Sequence, residues 1–137
     1  MSDRIRKSFN AQSMMQTLGA ELSEVADGQG VITAPILEGS KQQQGYGHAA
    51  LTFALGDTAA GYAALTLMPE DCEVLTAEIK INLIAPAQGD FLRATGKVVK
   101  PGKRLVVVTS EVEAITDGEA KTIAILQGTM VPVTLPS

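Results

Sequence analysis

One acidic residue stands alone in a long apolar stretch. Between His48 and Pro69 the only side chain that carries a full charge is Asp57. Burying an unpaired carboxylate among apolar residues is costly, so Asp57 is expected to have a specific hydrogen-bonding partner or a raised pKa. Two interpretations follow, a structural aspartate bonded to nearby backbone and a general base or nucleophile with a tuned pKa.

A second feature lies where the same stretch begins. His48 follows Gly45-Tyr46-Gly47, so the first amides of a helix that starts here, including that of Ala49, point into the preceding loop. Free amides at a helix N-terminus stabilise negative charge and can polarise a carbonyl. The two glycines do not form a dinucleotide-binding fingerprint, since a third glycine and a βαβ context are missing.

The spacing of His48 and Asp57 is more informative than either residue alone. Nine residues advance a helix by about 900° and about 13.5 Å, which leaves the two positions half a turn out of phase. Asp57 therefore cannot meet the N-terminus of its own helix. If both features act in one site, two chains must lie with their helices antiparallel, which predicts a two-fold homodimer with composite sites.

The element that carries Asp57 is predicted to be a core helix. Residues 48–68 are apolar on every side of a helical wheel and end at Pro69, as in a helix that is buried or spans a membrane. A membrane span is disfavoured because the run is barely long enough, contains Asp57 and has no basic flanks. Earlier in the chain, residues 4–18 predict a short amphipathic helix that ends at Gly19.

The rest of the chain has the pattern of β-strands. Residues 20–26 and 31–37 predict a hairpin around Asp27-Gly28-Gln29-Gly30, as in other short turns of this type. Alternation of apolar and polar residues then predicts four longer strands, at 72–85, 90–100, 103–116 and 119–134. The short connections at 86–89, 101–102 and 117–118 predict antiparallel neighbours and therefore a meander. Strict alternation also places Thr76 on the same face as Glu78 and Lys80.

One long buried helix and about six antiparallel strands pack most simply when a curved sheet wraps around the helix. That arrangement is the α+β hotdog fold, here preceded by a short N-terminal helix. A chain of 137 residues that is 45% apolar and 19% charged fits one compact domain over 1–137, since a chain of this size buries a sufficient core.

Composition excludes several classes of partner. A net charge of -4 and the absence of Trp argue against nucleic-acid binding, which requires a basic face or stacking platforms. Cys72 is the only cysteine and His48 the only histidine, so neither an intrachain disulfide nor a metal site is expected. Residues 8–12 do not form the apolar core of a signal peptide, and a cytoplasmic location without membrane attachment is expected.

Residues 42–50 (QQQGYGHAA) and 55–59 (LGDTA) resemble the signature of the PaaI-type hotdog thioesterases, which hydrolyse acyl-CoA thioesters. The similarity covers most of the chain and includes Leu18-Gly19-Ala20, 76–87 (TAEIKINLIAPA), Gly89-Asp90 and the turn at 100–104. The resemblance implies that no cofactor is needed beyond the CoA of the substrate. It also implies that two homodimers pair into a homotetramer.

The resemblance further implies a role for five residues. Asp57 falls on the general base or nucleophile, and the amide of Ala49, with His48 beside it, falls on the group that polarises the thioester carbonyl. Gln42 takes the place of an asparagine that orients water or the carbonyl. Thr76 falls on the hydroxyl residue that assists the carboxylate within the same subunit.

A basic group lies around the turn at Pro101-Gly102. Lys100, Lys103 and Arg104 either cover a sheet edge or bind the phosphates of CoA, and the family resemblance favours phosphate binding. Two alternatives to hydrolysis stay open. The family usually has glycine where Ala49 and Ala50 stand, which keeps a non-catalytic acyl-CoA-binding protein under consideration, and a hotdog hydratase or dehydratase is the other enzyme candidate.

Overall fold

A computed structural model describes residues 2–134 of the chain. The helices are α1 (Ser2–Asn10), α2 (Ser13–Thr17) and α3 (Ala49–Leu65), with a 3₁₀ turn at Glu38–Ser40. The strands are β1 (Glu21–Ala26), β2 (Gln29–Ala34), β3 (Cys72–Leu83), β4 (Phe91–Lys100), β5 (Val106–Thr116) and β6 (Glu119–Thr134). The predicted domain, 1–137, also includes Met1 and residues 135–137, which lie outside the described residues.

The strands form one antiparallel sheet in the order β1-β2-β4-β5-β6-β3, and α3 packs across it. This is the predicted hotdog fold. Strands β4, β5 and β6 form the expected meander, but the predicted pairing of β3 with β4 is wrong, because β3 pairs with β6 and β4 pairs with β2.

A short connection joins β3 and β4 without making them neighbours. Residues 84–90 run across the end of the β5–β6 hairpin, where Ile84 donates its amide to the carbonyl of Ile123 and Asp90 donates to that of Ile115. An extended segment of this length reaches about 23 Å, whereas three strand spacings amount to about 14 Å. Short connections therefore fix the antiparallel direction of the strands and leave their order open.

The core lies between α3 and the inner face of the sheet, and the two approach each other closely. A Cβ atom on Gly96 of β4 would lie 2.4 Å from the backbone of Ala59, and one on Gly56 of α3 would lie 2.7 Å from the side chain of Leu126. Small residues on both elements therefore allow the helix to rest on the sheet. Within residues 2–134 no helix has both the length and the hydropathy needed to cross a membrane.

The N-terminal segment differs from the single helix predicted over residues 4–18, because it contains two helices with a break at Ala11 and Gln12. Phe9 and Met15 are both buried, yet on one continuous helix they would lie about 120° apart. The break allows both side chains to face the core. Gly19, with a φ of 70°, follows α2 as expected.

Arg4 fastens α1 to the C-terminal end of α3. Its guanidinium donates hydrogen bonds to the carbonyl oxygens of Leu65 at 2.6 Å, Pro69 at 2.9 Å and Met68 at 3.3 Å. These carbonyls belong to the last turn of α3 or follow it, where a cation is stabilised by the unpaired carbonyls of the helix. The N-terminal helix is thereby held against the helix that carries Asp57.

We predict that Gly96→Ala destabilises the fold, because its Cβ would meet the Ala59 backbone rather than a side chain that can move. Overpacking of this kind reduces the free energy of unfolding by about 3 kcal/mol, measured by urea denaturation. Gly39→Ala is the matched control, since a Cβ there meets nothing within 4 Å. Equal stability of the two variants would show that α3 does not rest on the sheet at Gly96.

Candidate active site

Asp57 and Thr76 are joined by a hydrogen bond between α3 and β3. The hydroxyl of Thr76 donates to Oδ1 of Asp57 at 2.8 Å and also lies 3.3 Å from the sulfur of Met130. The hydrogen-bonded partner expected for the isolated carboxylate is therefore a side chain of the neighbouring strand.

A β-bulge turns Thr76 towards the helix. In the β3–β6 ladder Thr76 pairs with Met130 and Glu78 pairs with Thr129, so Ala77 is an additional residue on β3. An inserted residue reverses the alternation of faces beyond it. The prediction that Thr76 shares a face with Glu78 is therefore wrong, and without the bulge its hydroxyl would point away from Asp57.

Partial burial governs the ionisation of Asp57. Desolvation raises the pKa of its carboxyl, and the hydrogen bond from Thr76 lowers it by a smaller amount. Within residues 2–134 no lysine, arginine or histidine forms an ion pair with this carboxylate. The result is a carboxylate more basic than an ordinary aspartate, a property required of a general base.

Asp57 and Thr76 open into a cavity of about 270 Å³. It is lined by residues of α1, the α1–α2 connection, α3 and β3, namely Ser8, Gln12, Asp57, Thr58, Gly61, Tyr62, Glu73, Val74 and Thr76. Ser8 and Gln12 were not predicted to be site residues. They lie in the amphipathic helix predicted over residues 4–18, and their four-residue spacing suits the exposed face of such a helix as well as a cavity wall.

The start of α3 forms a second cleft. His48 is the N-cap residue, and its Nδ1 accepts a hydrogen bond from the amide of Ala50 at 2.8 Å. The neutral imidazole in this bond carries its proton on Nε2, where it remains able to donate. The amide of Ala49 has no acceptor within residues 2–134 and Ala49 is exposed, so this helix terminus offers a free donor.

The loop before α3 is held by its own hydrogen bonds. The side-chain oxygen of Gln42 accepts from the amides of Gln44 and Tyr46, and the amide of Gly47 donates to the carbonyl of Ala87 at 2.7 Å. Of the Gln42 side chain, only the amide nitrogen is left to bind a ligand, and it lies 3.5 Å from the side-chain oxygen of Gln44. Gln42 therefore has a structural role in this loop.

The structure brings the predicted residues together in two separate groups. Asp57 and Thr76 share the cavity described above, while Gln42, His48 and Ala49 line a different cleft of about 430 Å³. The remaining lining of that cleft is Gln44, Tyr46, Gly47, Thr52, Leu83, Ala85, Pro86 and Ala87. Within one chain the carboxylate and the free amide of Ala49 thus open into different spaces.

Lys100 is the last residue of β4, and Lys103 and Arg104 lie on the β4–β5 connection; all three are exposed and line neither cleft. Lys103 and Arg104 come shortly before Val106, which pairs with Met130, and Met130 pairs with Thr76. Val106 and Thr76 are therefore two strand spacings apart, about 10 Å. In the part of the chain that the structure describes, no group of three or more acidic, histidine or cysteine side chains could hold a metal ion.

Comparison with known proteins gives consistent matches. The sequence profile of the thioesterase superfamily matches residues 44–121. A thioesterase family protein from Silicibacter pomeroyi has 36% sequence identity and a TM-score of 0.95, with 98% of each chain covered. The 1,4-dihydroxy-2-naphthoyl-CoA hydrolase of Listeria monocytogenes is 28% identical over 82% of this chain and 94% of its own length. The Escherichia coli PaaI protein shares the fold, with 22% identity, a TM-score of 0.84 and coverage of 96% of this chain and 91% of that one.

We predict that Asp57→Asn stabilises the protein at pH 7. Because burial raises the pKa of Asp57, the folded state holds its proton more tightly than the unfolded state, and this contribution to stability is lost as the pH rises through the folded pKa. The melting temperature of the variant should exceed that of the wild type at pH 7 and approach it near pH 4. Asp27→Asn, at an exposed turn, is the control. A variant that is less stable at pH 7 would contradict the assigned cause of the shift.

Proposed function

The chain belongs to the thioesterase superfamily, and we propose that it hydrolyses an acyl-CoA thioester to the free acid and CoA. The observation that carries the proposal is the Asp57–Thr76 pair, a partly desolvated carboxylate oriented by a hydroxyl at the edge of a cavity. The name of the Listeria relative, which is a CoA-thioester hydrolase, supports CoA as the leaving group.

In the proposed reaction Asp57 acts on the thioester carbonyl carbon in one of two ways. It either takes a proton from water, whose oxygen then attacks that carbon, or attacks the carbon directly to form an anhydride that water hydrolyses. In both cases the carbon–sulfur bond breaks and CoA leaves as a thiolate that takes up a proton from solvent, and where Asp57 has taken a proton from water it returns that proton to solvent. A thiol with a pKa of about 8.5 leaves without strong acid catalysis, so one carboxylate and one oxyanion donor suffice.

The oxyanion donor is proposed to come from a second subunit. The free amide of Ala49 and the Nε2 of His48 lie in the other cleft of the same chain, which supports a site assembled from two chains. An exposed stripe on α3 containing Ala49, Ala50 and Phe53 leads towards Asp57. Such a stripe, together with the unpaired edge of β3, is a surface suited to self-association.

The same proposal includes the pairing of two dimers into a homotetramer, which rests on the resemblance of the sequence to PaaI-type thioesterases.

The decisive experiment measures release of free thiol from acyl-CoA by two variants. Asp57→Asn removes the base, and kcat should fall about 100-fold or more. Ala49→Pro replaces the amide proton by a ring carbon and leaves the helix intact, because proline is accepted at the first helical position and His48 already has the extended conformation, with ψ at 147°, that must precede it. Loss of one oxyanion donor should reduce kcat about 100- to 1000-fold.

Mixing the two variants then tests whether the site is shared. A hybrid dimer has one site with both changes and one site with neither, so random exchange of subunits should restore about one quarter of the wild-type rate. Absence of restoration, with subunit exchange verified by mass spectrometry, would place both groups within one chain. Tight acyl-CoA binding by the wild type without thiol release would instead identify a non-catalytic acyl-CoA-binding protein.

The phosphates of CoA are proposed to contact Lys100, Lys103 and Arg104. Charge-assisted contacts at an exposed site contribute about 1 kcal/mol or less each and weaken with salt. Lys103→Ala combined with Arg104→Ala should therefore raise KM for acyl-CoA several-fold, leave kcat nearly unchanged and flatten the salt dependence of kcat/KM. Lys121→Ala, an exposed lysine at the start of β6, is the control. Equal impairment with an acyl-pantetheine, which lacks the nucleotide phosphates, would contradict the assignment.

A further inference from the structure

The hydroxyl of Thr76 has a second neighbour besides the carboxylate of Asp57, and the proposed chemistry makes no use of it. The oxygen of this hydroxyl lies 2.8 Å from Oδ1 of Asp57 and 3.3 Å from the sulfur of Met130. Both contacts have the geometry of a hydrogen bond that the hydroxyl donates, but Thr76 has only one proton to donate. The carboxylate and the sulfur are therefore alternative acceptors for the same proton.

The sheet holds Met130 on the buried side of the Asp57–Thr76 pair. Met130 lies on β6 between Thr76 of β3 and Val106 of β5, and it pairs with both. Its side chain belongs to the core and is 0% exposed. Asp57 and Thr76 line the cavity described above, whereas Met130 does not. The sulfur therefore contacts the hydroxyl without contacting the space where a substrate would bind.

The thioether gives this position a property that packing alone does not require. Leucine has nearly the same volume as methionine, and an exchange of the two in a core usually has a small effect on stability. Methionine differs in its polarisable sulfur, which accepts a hydrogen bond weakly and has no proton to donate. Such a group can receive the proton of Thr76 and cannot compete with Thr76 as a donor to Asp57.

The ionised form of Asp57 takes the proton of Thr76. A hydrogen bond to a carboxylate is charge-assisted and about twice as strong as one between neutral groups, and a thioether is a weaker acceptor still. The sulfur of Met130 is then only a close neighbour of the hydroxyl oxygen. In this state the pair has the arrangement seen in the structure, with 2.8 Å between Thr76 and Oδ1.

Protonation of Asp57 changes which group donates. A protonated carboxyl is itself a donor, and the oxygen of Thr76 can accept its proton while the proton of Thr76 turns to another acceptor. Within residues 2–134 the sulfur of Met130 is the other side-chain acceptor in reach of this hydroxyl. A chain of two hydrogen bonds, from Asp57 to Thr76 and from Thr76 to Met130, then satisfies every donor of the protonated pair.

Few ionisable groups lie near Asp57 to obscure this effect. Of the elements packed against α3, β3 contributes the carboxylate of Glu73 to the cavity, and α3 itself contributes the hydroxyl of Tyr62. The charged residues of α1 and of the other strands line no part of this cavity, and His48 lines the other cleft. Desolvation already raises the pKa of Asp57, and a partner that stabilises the protonated form acts in the same direction.

We propose that Met130 is a positioning residue for the general base, whose sulfur accepts the proton of Thr76 while Asp57 holds the proton taken from water. The proposal rests on the acyl-CoA hydrolysis inferred above, by the path in which Asp57 activates water. The proton of Thr76 turns from Asp57 to the sulfur and stays on its own oxygen throughout. The proton on Asp57 is the one released to solvent at the end of the cycle, so Met130 gains and loses nothing.

The direct test follows the ionisation of Asp57 by NMR, with carbon-13 in the aspartate carboxyl groups and Asp57→Asn to assign the signal. Met130→Leu removes the acceptor, so the pKa of Asp57 should move to a lower value because the protonated form loses a partner. Met15→Leu is the matched control, since Met15 is another buried methionine and does not line the cavity. An unchanged titration of Asp57 in Met130→Leu would overturn the proposal.

A double-mutant cycle tests whether Met130 acts through the hydroxyl of Thr76. Thr76→Val removes the hydroxyl and retains a β-branched side chain, so the addition of Met130→Leu to it should cause no further change in the Asp57 titration. Thr76→Ser retains a hydroxyl and should retain the response to Met130→Leu. A response of equal size with and without the hydroxyl would show that Met130 acts by packing, and would overturn the proposal.

Norleucine separates the loss of sulfur from a change of shape. It replaces the sulfur of methionine by a methylene group and keeps the side chain unbranched. Wild-type protein made with norleucine should show the same direction of change in the Asp57 titration as Met130→Leu. The Met130→Leu protein made with norleucine should show no additional change, and an additional change as large as in the wild type would assign the effect to the other methionines and overturn the proposal.

Turnover gives a second measurement and separates this proposal from the proposed hydrolysis. In Met130→Leu, kcat for acyl-CoA should fall about two- to fivefold, the value of a weak hydrogen bond, with KM nearly unchanged. The acid limb of the pH profile of kcat should move to lower pH. A changed Asp57 titration without thiol release from acyl-CoA by the wild type would overturn hydrolysis and retain the hydrogen-bonding role of Met130. Thiol release with an unchanged titration would overturn the role of Met130 alone.

Discussion

The direct packing of α3 against the sheet is the constraint on which the site depends. Gly96 on β4 leaves room for the backbone of Ala59, and Gly56 on the helix leaves room for Leu126. This close approach fixes how far the helix stands from β3 and therefore where the carboxylate of Asp57 lies. A helix held farther away by larger side chains would separate Asp57 from Thr76 by more than a hydrogen bond spans. Small residues in the core thus determine the distance between the side chains of Asp57 and Thr76 at its edge.

The hydrogen bond between Asp57 and Thr76 balances two opposing effects. Burial favours the neutral carboxyl and makes the ionised form more basic, while the hydroxyl of Thr76 stabilises the ionised form. Full burial without a partner would leave the group protonated, and full exposure would give an ordinary, weakly basic aspartate. The bulge at Ala77 makes the hydrogen bond from Thr76 possible, since it directs Thr76 inward.

The sequence predicted those features that depend on residue type along one element. The core helix, the position of its N-terminus and the bounds of β6 follow from apolar periodicity and turn residues, and each is observed. Strand order was not predictable from connection length, because residues 84–90 can reach across the end of a hairpin. The bulge had no signal either, since Ala77 interrupts neither the alternation nor the composition of β3. The place of Ser8 and Gln12 in the cavity wall was not predictable for a related reason, since they line the cavity only because α3 places Tyr62 opposite them.

The uniform apolarity of α3 also supports the proposal that a second chain completes the site. A helix that is apolar on every side requires cover on every side. The sheet covers most of α3, and α1 contacts it at Leu65 and Tyr62. The side that carries Ala49, Ala50 and Phe53 remains exposed, with Phe53 36% accessible. Exposure of this side would be ordinary on a helix with a polar face. On α3 the exposed side is apolar and extends to the half-buried Asp57. Covering it with the same surface of a second chain would bury the stripe, exclude water from the carboxylate and bring a free helix N-terminus close to Asp57. The proposed dimer would therefore bury apolar surface, which stabilises the fold, and would bring the groups needed for catalysis together.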